Sequence, residues 1–144
     1  MDDRYAGLKL ENQLCFPLYA ASRAVIKQYT PHLKPLGLTY TQYITMMVLW
    51  DKKCVSVGEL CETLFLDSGT LTPLLKKMET EDYITRERSR EDERVVMVRI
   101  TEKGEELKDK AVEIPSKVGN CITLSKEDAK SLYRMLYALI EGTR

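Results

Sequence analysis

Residues 56–100 read SVGELCETLFLDSGTLTPLLKKMETEDYITRERSREDERVVMVRI, and the changes of period inside this stretch decide the fold. Ser56-Val57-Gly58-Glu59 has the spacing of a helix start, a hydroxyl followed three residues later by a carboxylate. It opens a short helix ending near Leu64. Asp67 or Ser68 caps a second helix that gives Leu74, Leu75 and Met78 to a core and runs to about Glu81. Pro73 lies close to its start, where losing one backbone donor costs least. The period then changes. Tyr83 to Arg88 and Arg94 to Ile100 read as strands, joined through Ser89-Arg90-Glu91-Asp92-Glu93 into a hairpin with a charged tip. A short helix, a longer one close behind it and a hairpin form a winged helix-turn-helix.

On the N-terminal side, Leu10, Leu14, Leu18, Ala21 and Val25 recur at spacings of three and four, one apolar helical stripe over about Leu10 to Tyr29. Pro31, Pro35 and Gly37 punctuate a connection. Thr39-Tyr40-Thr41-Gln42 then has capping-box spacing and opens a helix through Trp50. On the C-terminal side, Thr101 caps a helix to about Val112, which Pro115 breaks or ends. Ser125-Lys126-Glu127-Asp128 opens the last helix, with the stripe Ala129, Leu132, Leu136, Leu139 and Ile140 and with Gly142 as C-cap. The expected fold class is mainly α with a small two-stranded β-hairpin, a winged helix-turn-helix flanked by N- and C-terminal dimerisation helices. One domain spans 1–144, with about 1–35 and 102–144 as dimerisation helices and about 36–101 as the winged helix-turn-helix. The outer helices have apolar faces and no core of their own, which calls for a two-fold partner subunit.

Composition sets the class. With 44% hydrophobic and 31% charged residues among 144, the chain reads as a soluble globular protein. No apolar run approaches the ~18 residues of a membrane helix, and the N-terminal MDDRYAGLKLENQ has no signal-peptide stretch. A cytoplasmic location without membrane contact is expected, and the four cysteines are expected as thiols. Basic and acidic residues balance at 22 each. Any DNA contact therefore depends on where the charges sit.

Two elements have the chemistry for that contact. The hydroxyls of Ser68, Thr70 and Thr72 at the start of the second helix can donate to phosphates or base edges, with Lys76 and Lys77 following on the outer side. The plainer reading is that they cap an ordinary helix. In the hairpin, Arg86 to Arg94 holds four arginines and four acids. An arginine on a wing can enter the narrow minor groove, whereas a solvated, self-paired charge run is the commoner meaning. A mixed reading has Asp92 pairing one arginine to shape the loop while Arg90 or Arg94 projects, with Arg88 at the strand end.

The cysteines stand at 15, 54, 61 and 121, without any C-x-x-C, and His32 is the sole histidine, so no metal site or cofactor is expected. Cys54 follows Lys52-Lys53 at a helix end and Cys61 lies between Leu60 and Leu64, both read as partly buried inert thiols. Cys15 differs. With Asn12 as N-cap it falls in the first helical turn, where the helix dipole favours a thiolate. Pro17 makes a start near residues 12–16 natural. Tyr19, Tyr29 and Tyr40 flank the mouth of the first helix and its partner, and a phenol can donate to a thiolate. The alternative is a core thiol on the stripe with Leu14 and Leu18.

Several stretches resemble the organic-hydroperoxide-sensing (OhrR-like) branch of the MarR family. They are Leu10-Glu11-Asn12-Gln13-Leu14-Cys15-Phe16 with Leu18-Tyr19-Ala20-Ala21-Ser22-Arg23, then Leu36 to Tyr43, Leu66 to Lys77, and Ser89 to Arg94. They fall in the family's order from Leu10 to about Ala111. The resemblance implies a homodimeric repressor of a double-stranded DNA operator in which Cys15 is the thiolate that reacts with an organic hydroperoxide. It implies that Tyr29 and Tyr40 hydrogen-bond that thiolate, the second from the other subunit. Oxidation to a sulfenic acid would pass to a disulfide, or to a mixed disulfide with a low-molecular-weight thiol. Cys121 matches the region of a resolving thiol found in one subgroup. The chain departs from the family at Pro17, where a helix former is usual, and at Thr41, where proline is frequent. Two rivals remain: a repressor released by a small aromatic ligand with Cys15 inert, and a thiol peroxidase using Cys15 in turnover.

Overall fold

The computed structural model describes residues 3–144. Met1 and Asp2, which open the polar N-terminal segment and the expected 1–35 dimerisation region, lie outside the described residues. Helices α1 (Cys15–Leu33), α2 (Tyr40–Lys52), α3 (Val57–Leu64), α4 (Ser68–Thr80), α5 (Glu102–Ala111), α6 (Ile114–Gly119) and α7 (Lys126–Thr143) accompany strands β1 (Cys54–Ser56), β2 (Ile84–Arg88) and β3 (Val96–Ile100). They fall into two compact units, one reaching Ile114 and one from Pro115 onward.

Side-chain caps set most helix starts. Thr39 and Gln42 close a reciprocal capping box on α2. Ser56, Asp67, Thr101 and Ser125 each accept a backbone N–H at the start of α3, α4, α5 and α7. Each satisfies one of the donors that a helix start leaves unpaired.

The start of α1 differs from expectation. Asn12 does not cap it, because its side-chain amide donates to the Ala6 carbonyl at 2.8 Å within two preceding 3-10 turns. The helix begins at Cys15 behind Leu14, which forms no side-chain cap. Pro17 is then the third helical residue, where a backbone N–H would have no partner, so the departure at Pro17 is compatible with the helix. Pro31 lies inside α1 rather than in a connection. The break comes after a 3-10 turn, Lys34–Leu36, at Gly37, whose φ of 70° suits glycine. Pro115 is the second residue of α6, starting a helix rather than ending one, and Gly142 lies within α7.

The expected two-stranded hairpin is a three-stranded antiparallel sheet of order β1-β3-β2. In β1, Val55 pairs with Val98, and both are fully buried. A three-residue strand is too short to show alternation in sequence, and it forms because β3 offers an open edge.

The first unit packs Met46, Leu49, Val55, Leu60, Leu71, Leu75, Met78, Ile84 and Val98 out of solvent. Each such side chain contributes roughly 1.5–3 kcal/mol of burial. The Trp50 indole donates to the Gly104 carbonyl at 2.9 Å, tying α2 to α5. Gly104 permits this approach: a Cβ there would collide with the Tyr83 carbonyl and lie 2.8 Å from Ile100 Cγ1. By contrast, α7 has no buried residue and α1 buries only Leu33.

Candidate DNA-reading surface and thiol site

Helix α4 separates two faces by its own period. Leu71, Leu75 and Met78 point inward, while Ser68, Thr72 and Lys76, four residues apart, form an exposed stripe flanked by Gly69, Pro73 and Lys77. Residues 68–77 include two lysines and no acid. Asp67 caps the helix through the Thr70 amide at 2.7 Å. That bond, with a second from the Thr70 hydroxyl, holds the Asp67 carboxyl below the usual range. Thr70 is therefore partly engaged in capping. Ser68 and Thr72 have no hydrogen-bond partner for their hydroxyls among the described residues, which leaves both groups open to an outside acceptor.

The wing tip is a set of short-range hydrogen bonds. Ser89 N donates to Val95 O at 2.7 Å, Val95 N to Asp92 O at 3.0 Å, and Arg88 Nη1 to Glu93 O at 2.8 Å. Asp92 accepts Arg94 Nε and Nη2, each at 3.1 Å. Those bonds hold the Asp92 carboxyl below its ordinary range. The Arg94 side chain nevertheless stays 90% exposed. The alternatives read from sequence merge here: Arg94 both pairs with Asp92 and projects. Arg90 is exposed, with no hydrogen bond or ion pair among the described residues.

Glu79 was not anticipated. It accepts Arg86 Nη2 and Arg86 N, both at 3.1 Å, and so ties α4 to the first wing strand. The Arg86 bond holds the Glu79 carboxyl low. The sequence signal was an acid following two lysines on a helix otherwise divided between apolar and basic faces.

At the other end of the unit, Cys15 is exposed as the first residue of α1, beside the exposed apolar side chains of Leu14, Phe16 and Leu18. Tyr19 follows one helical turn later, with the Arg23 guanidinium 5.4 Å from its ring centre. Tyr29 and Tyr40 come together, with ring centres 4.9 Å apart, and Tyr43 completes the cluster at 5.8 Å from Tyr29. Burial, with Tyr29 as a smaller cause, raises the Tyr40 and Tyr43 phenols above their ordinary range. Both are protonated donors at neutral pH. Tyr43 is buried and meets Trp50 edge-on. Its spacing of three from Tyr40 was the signal for a shared helix face.

The structure does not bring this cluster to Cys15 within one chain. Fourteen residues of helix separate Cys15 from Tyr29, a rise of about 21 Å. The resemblance implied that one of the two tyrosines reaches Cys15 from its own subunit, and the length of α1 rules that out for Tyr29. Cys54 and Cys61 are half-buried, as expected. In the second unit Cys121 is exposed, its Sγ 3.5 Å from the Lys117 carbonyl. No helix among the described residues is long and apolar enough to cross a membrane.

A family model described as transcriptional regulator SarA/Rot matches residues 27–111. The organic hydroperoxide resistance transcriptional regulator of Bacillus subtilis is 50% identical over 141 residues, covering 98% of this chain and 96% of that protein. Reduced AbfR bound to DNA, a protein of Staphylococcus epidermidis, superposes with a TM-score of 0.80 at 29% identity over 96% of both chains. AbsC, a MarR family transcriptional regulator from Streptomyces coelicolor, reaches 0.82 over 94% of this chain and 96% of its own, and at 22% identity it shows the fold alone.

Proposed function

This chain belongs to the MarR family of transcriptional regulators, in its organic-hydroperoxide-sensing branch, and we propose that it is a dimeric repressor that releases its operator when Cys15 is oxidised. The observation that carries the reading is Cys15 itself. It is an exposed thiol on the first residue of a helix, amid exposed apolar side chains that suit an organic hydroperoxide.

The thiolate attacks the distal peroxide oxygen. An S–O bond forms, the O–O bond breaks, and the alkoxide leaves and takes a proton as an alcohol. Cys15 becomes a sulfenic acid. A thiol then displaces water from it to give a disulfide. Cys121 of a partner subunit and a low-molecular-weight thiol are the two candidates. The donors for the Cys15 thiolate are Tyr29 and Tyr40 of the second subunit, an arrangement the helix length supports, with Tyr19 contributed one turn along the same helix. The apolar faces of α1 and α7 form the dimer interface, and the protein acts in the cytoplasm.

In the reduced dimer the two α4 helices enter successive major grooves, about 34 Å apart. Ser68, Thr70, Thr72, Lys76 and Lys77 face phosphates and base edges. Arg94, steadied by Asp92, reaches the minor groove, and Arg88 and Arg90 lie along the backbone. Fixing an arginine before binding lowers the side-chain entropy lost on docking. A hundredfold loss of affinity on oxidation requires about 2.7 kcal/mol, which repacking of a dimer interface supplies.

A gel shift with the promoter region of the protein's own gene tests the reading. Cumene hydroperoxide should release the wild-type protein, a thiol reductant should restore binding, and Cys15→Ser should stay bound. Release of Cys15→Ser by peroxide would overturn the sensor assignment. Oxidised protein on a non-reducing gel should run as a crosslinked dimer that Cys121→Ser abolishes if Cys121 resolves the sulfenic acid.

A second reading, release by a small aromatic ligand, is favoured by a cavity of about 340 Å³ beside Tyr40, lined by Ile26, Leu33 and Leu38. It expects Cys15→Ser to keep a full response to such a ligand.

A further inference from the structure

We infer that Tyr83 is the positioning residue through which the tyrosine-bearing corner between α1 and α2 governs the wing, an inference that rests on the sensor reading above. The hydroxyl of Tyr83 donates to the Leu36 carbonyl at 3.4 Å, across 47 residues of sequence. Leu36 ends the 3-10 turn that joins α1 to α2, immediately before Gly37 at φ 70°. Gly37 and Lys34 of that turn line the same cavity as Tyr40. The carbonyl that Tyr83 holds therefore belongs to the turn that walls the cavity beside Tyr40, the route by which a displacement at the tyrosine pair would reach it.

The other end of Tyr83 belongs to the wing. Its backbone N–H donates to Met78 O of α4 at 3.1 Å, and its carbonyl accepts Thr101 N at 3.0 Å, directly after β3. Residue 84 begins β2. The ring is covered by Lys103, whose ammonium lies 5.1 Å from its centre. Gly104 closes against the Tyr83 carbonyl. The backbone of Tyr83 is thus clamped between α4 and both roots of the hairpin, and the side chain is its single hydrogen-bonded reach toward the corner. A residue held rigidly at one end and bonded to a hinge-like turn at the other passes displacement between them, without touching either DNA or Cys15.

The hydroxyl is separable from the rest of the side chain. Tyr83→Phe keeps the ring and its cation and loses only the bond to Leu36. Operator affinity of the full-length protein is measured for the promoter region of its own gene, reduced and after cumene hydroperoxide, together with loss of the Cys15 thiol by mass spectrometry. One neutral hydrogen bond is worth roughly fivefold in an equilibrium. Tyr83→Phe is expected to bind DNA within about twofold of wild type when reduced and to oxidise at Cys15 to the same extent. Its reduced-to-oxidised affinity ratio should fall about fivefold. Lys103→Met, which removes the cation and leaves the hydroxyl, is the control and should keep the wild-type ratio.

An unchanged ratio in Tyr83→Phe overturns the inference. So does a loss of reduced-state affinity beyond about fivefold, which would make the hydroxyl a support of the wing itself. An equal fall in Lys103→Met also overturns it. If the wild-type protein is not released by peroxide, the sensor reading fails first and the coupling falls with it, an outcome distinct from release of both proteins by the same factor.

Discussion

The winged helix-turn-helix and the terminal helices place their large apolar side chains in opposite ways. Around α3, α4 and the sheet, the leucines are sealed: Leu60, Leu71 and Leu75 have no exposed surface. On α7, Leu132, Tyr133, Met135, Tyr137 and Leu139 all stand open, and on α1 so do Leu14, Phe16 and Leu18. Several large apolar side chains left open on one helix mark its face as a candidate interaction surface. The winged helix-turn-helix seals its leucines within one chain, whereas α1 and α7 leave most of theirs open in it. Cys15, the proposed sensor, lies on the open part rather than the sealed one.

That contrast is broken or sharpened by substitutions on either side of it. Leu75→Ala should have the largest effect on folding, about 3 kcal/mol by chemical denaturation, because a sealed site cannot collapse around the cavity. Gly104→Ala should cost about 2 kcal/mol, since its Cβ meets the rigid Tyr83 backbone rather than a flexible side chain. Arg94→Ala should leave folding untouched and lower operator affinity roughly tenfold, with a shallower salt dependence. At the small end, Leu139→Ser on α7 should shift the folding free energy of dilute protein by no more than about 0.5 kcal/mol. Its effect should appear instead as a dimer that dissociates at higher concentration on size exclusion. If Leu139→Ser destabilises as much as Leu75→Ala, the two regions are not different in kind.

Acid sharpens the same comparison. Asp67, Glu79 and Asp92 are held low by hydrogen bonds from Thr70, Arg86 and Arg94. A depressed folded-state pKa contributes stability that is complete above the unfolded value, near 4, and is lost as pH falls through the folded value. The melting temperature should therefore be flat from neutrality to about pH 5 and decline below about pH 4. Glu79→Gln should soften the decline, and a flat profile in wild type down to pH 3 would contradict it.

Much of the fold was legible because its signals are local. Thr39, Ser56, Thr101 and Ser125 cap the helices that their spacing announced, and Asp67 proved to be the cap of the pair offered with Ser68. The hairpin showed itself by period alone. What the local pattern does not carry depends on distant partners. β1 is three residues long and exists because β3 presents an edge. Asn12 looked like a cap and is drawn instead to the Ala6 carbonyl. Glu79 became part of the surface only when Arg86 was folded against it.

Cys15 shows the division most clearly. Its residue type, its place near a helix start and its apolar neighbours are properties of the sequence, because they involve a few adjacent residues and one period. Which tyrosines can reach it is decided by the length of a rigid helix, a tertiary quantity that separates Cys15 from Tyr29 by about 21 Å. Helix starts, faces and turn residues are set over a few positions, where spacing is the physics. Distances between elements depend on how all of them pack at once, and the structure alone determines them.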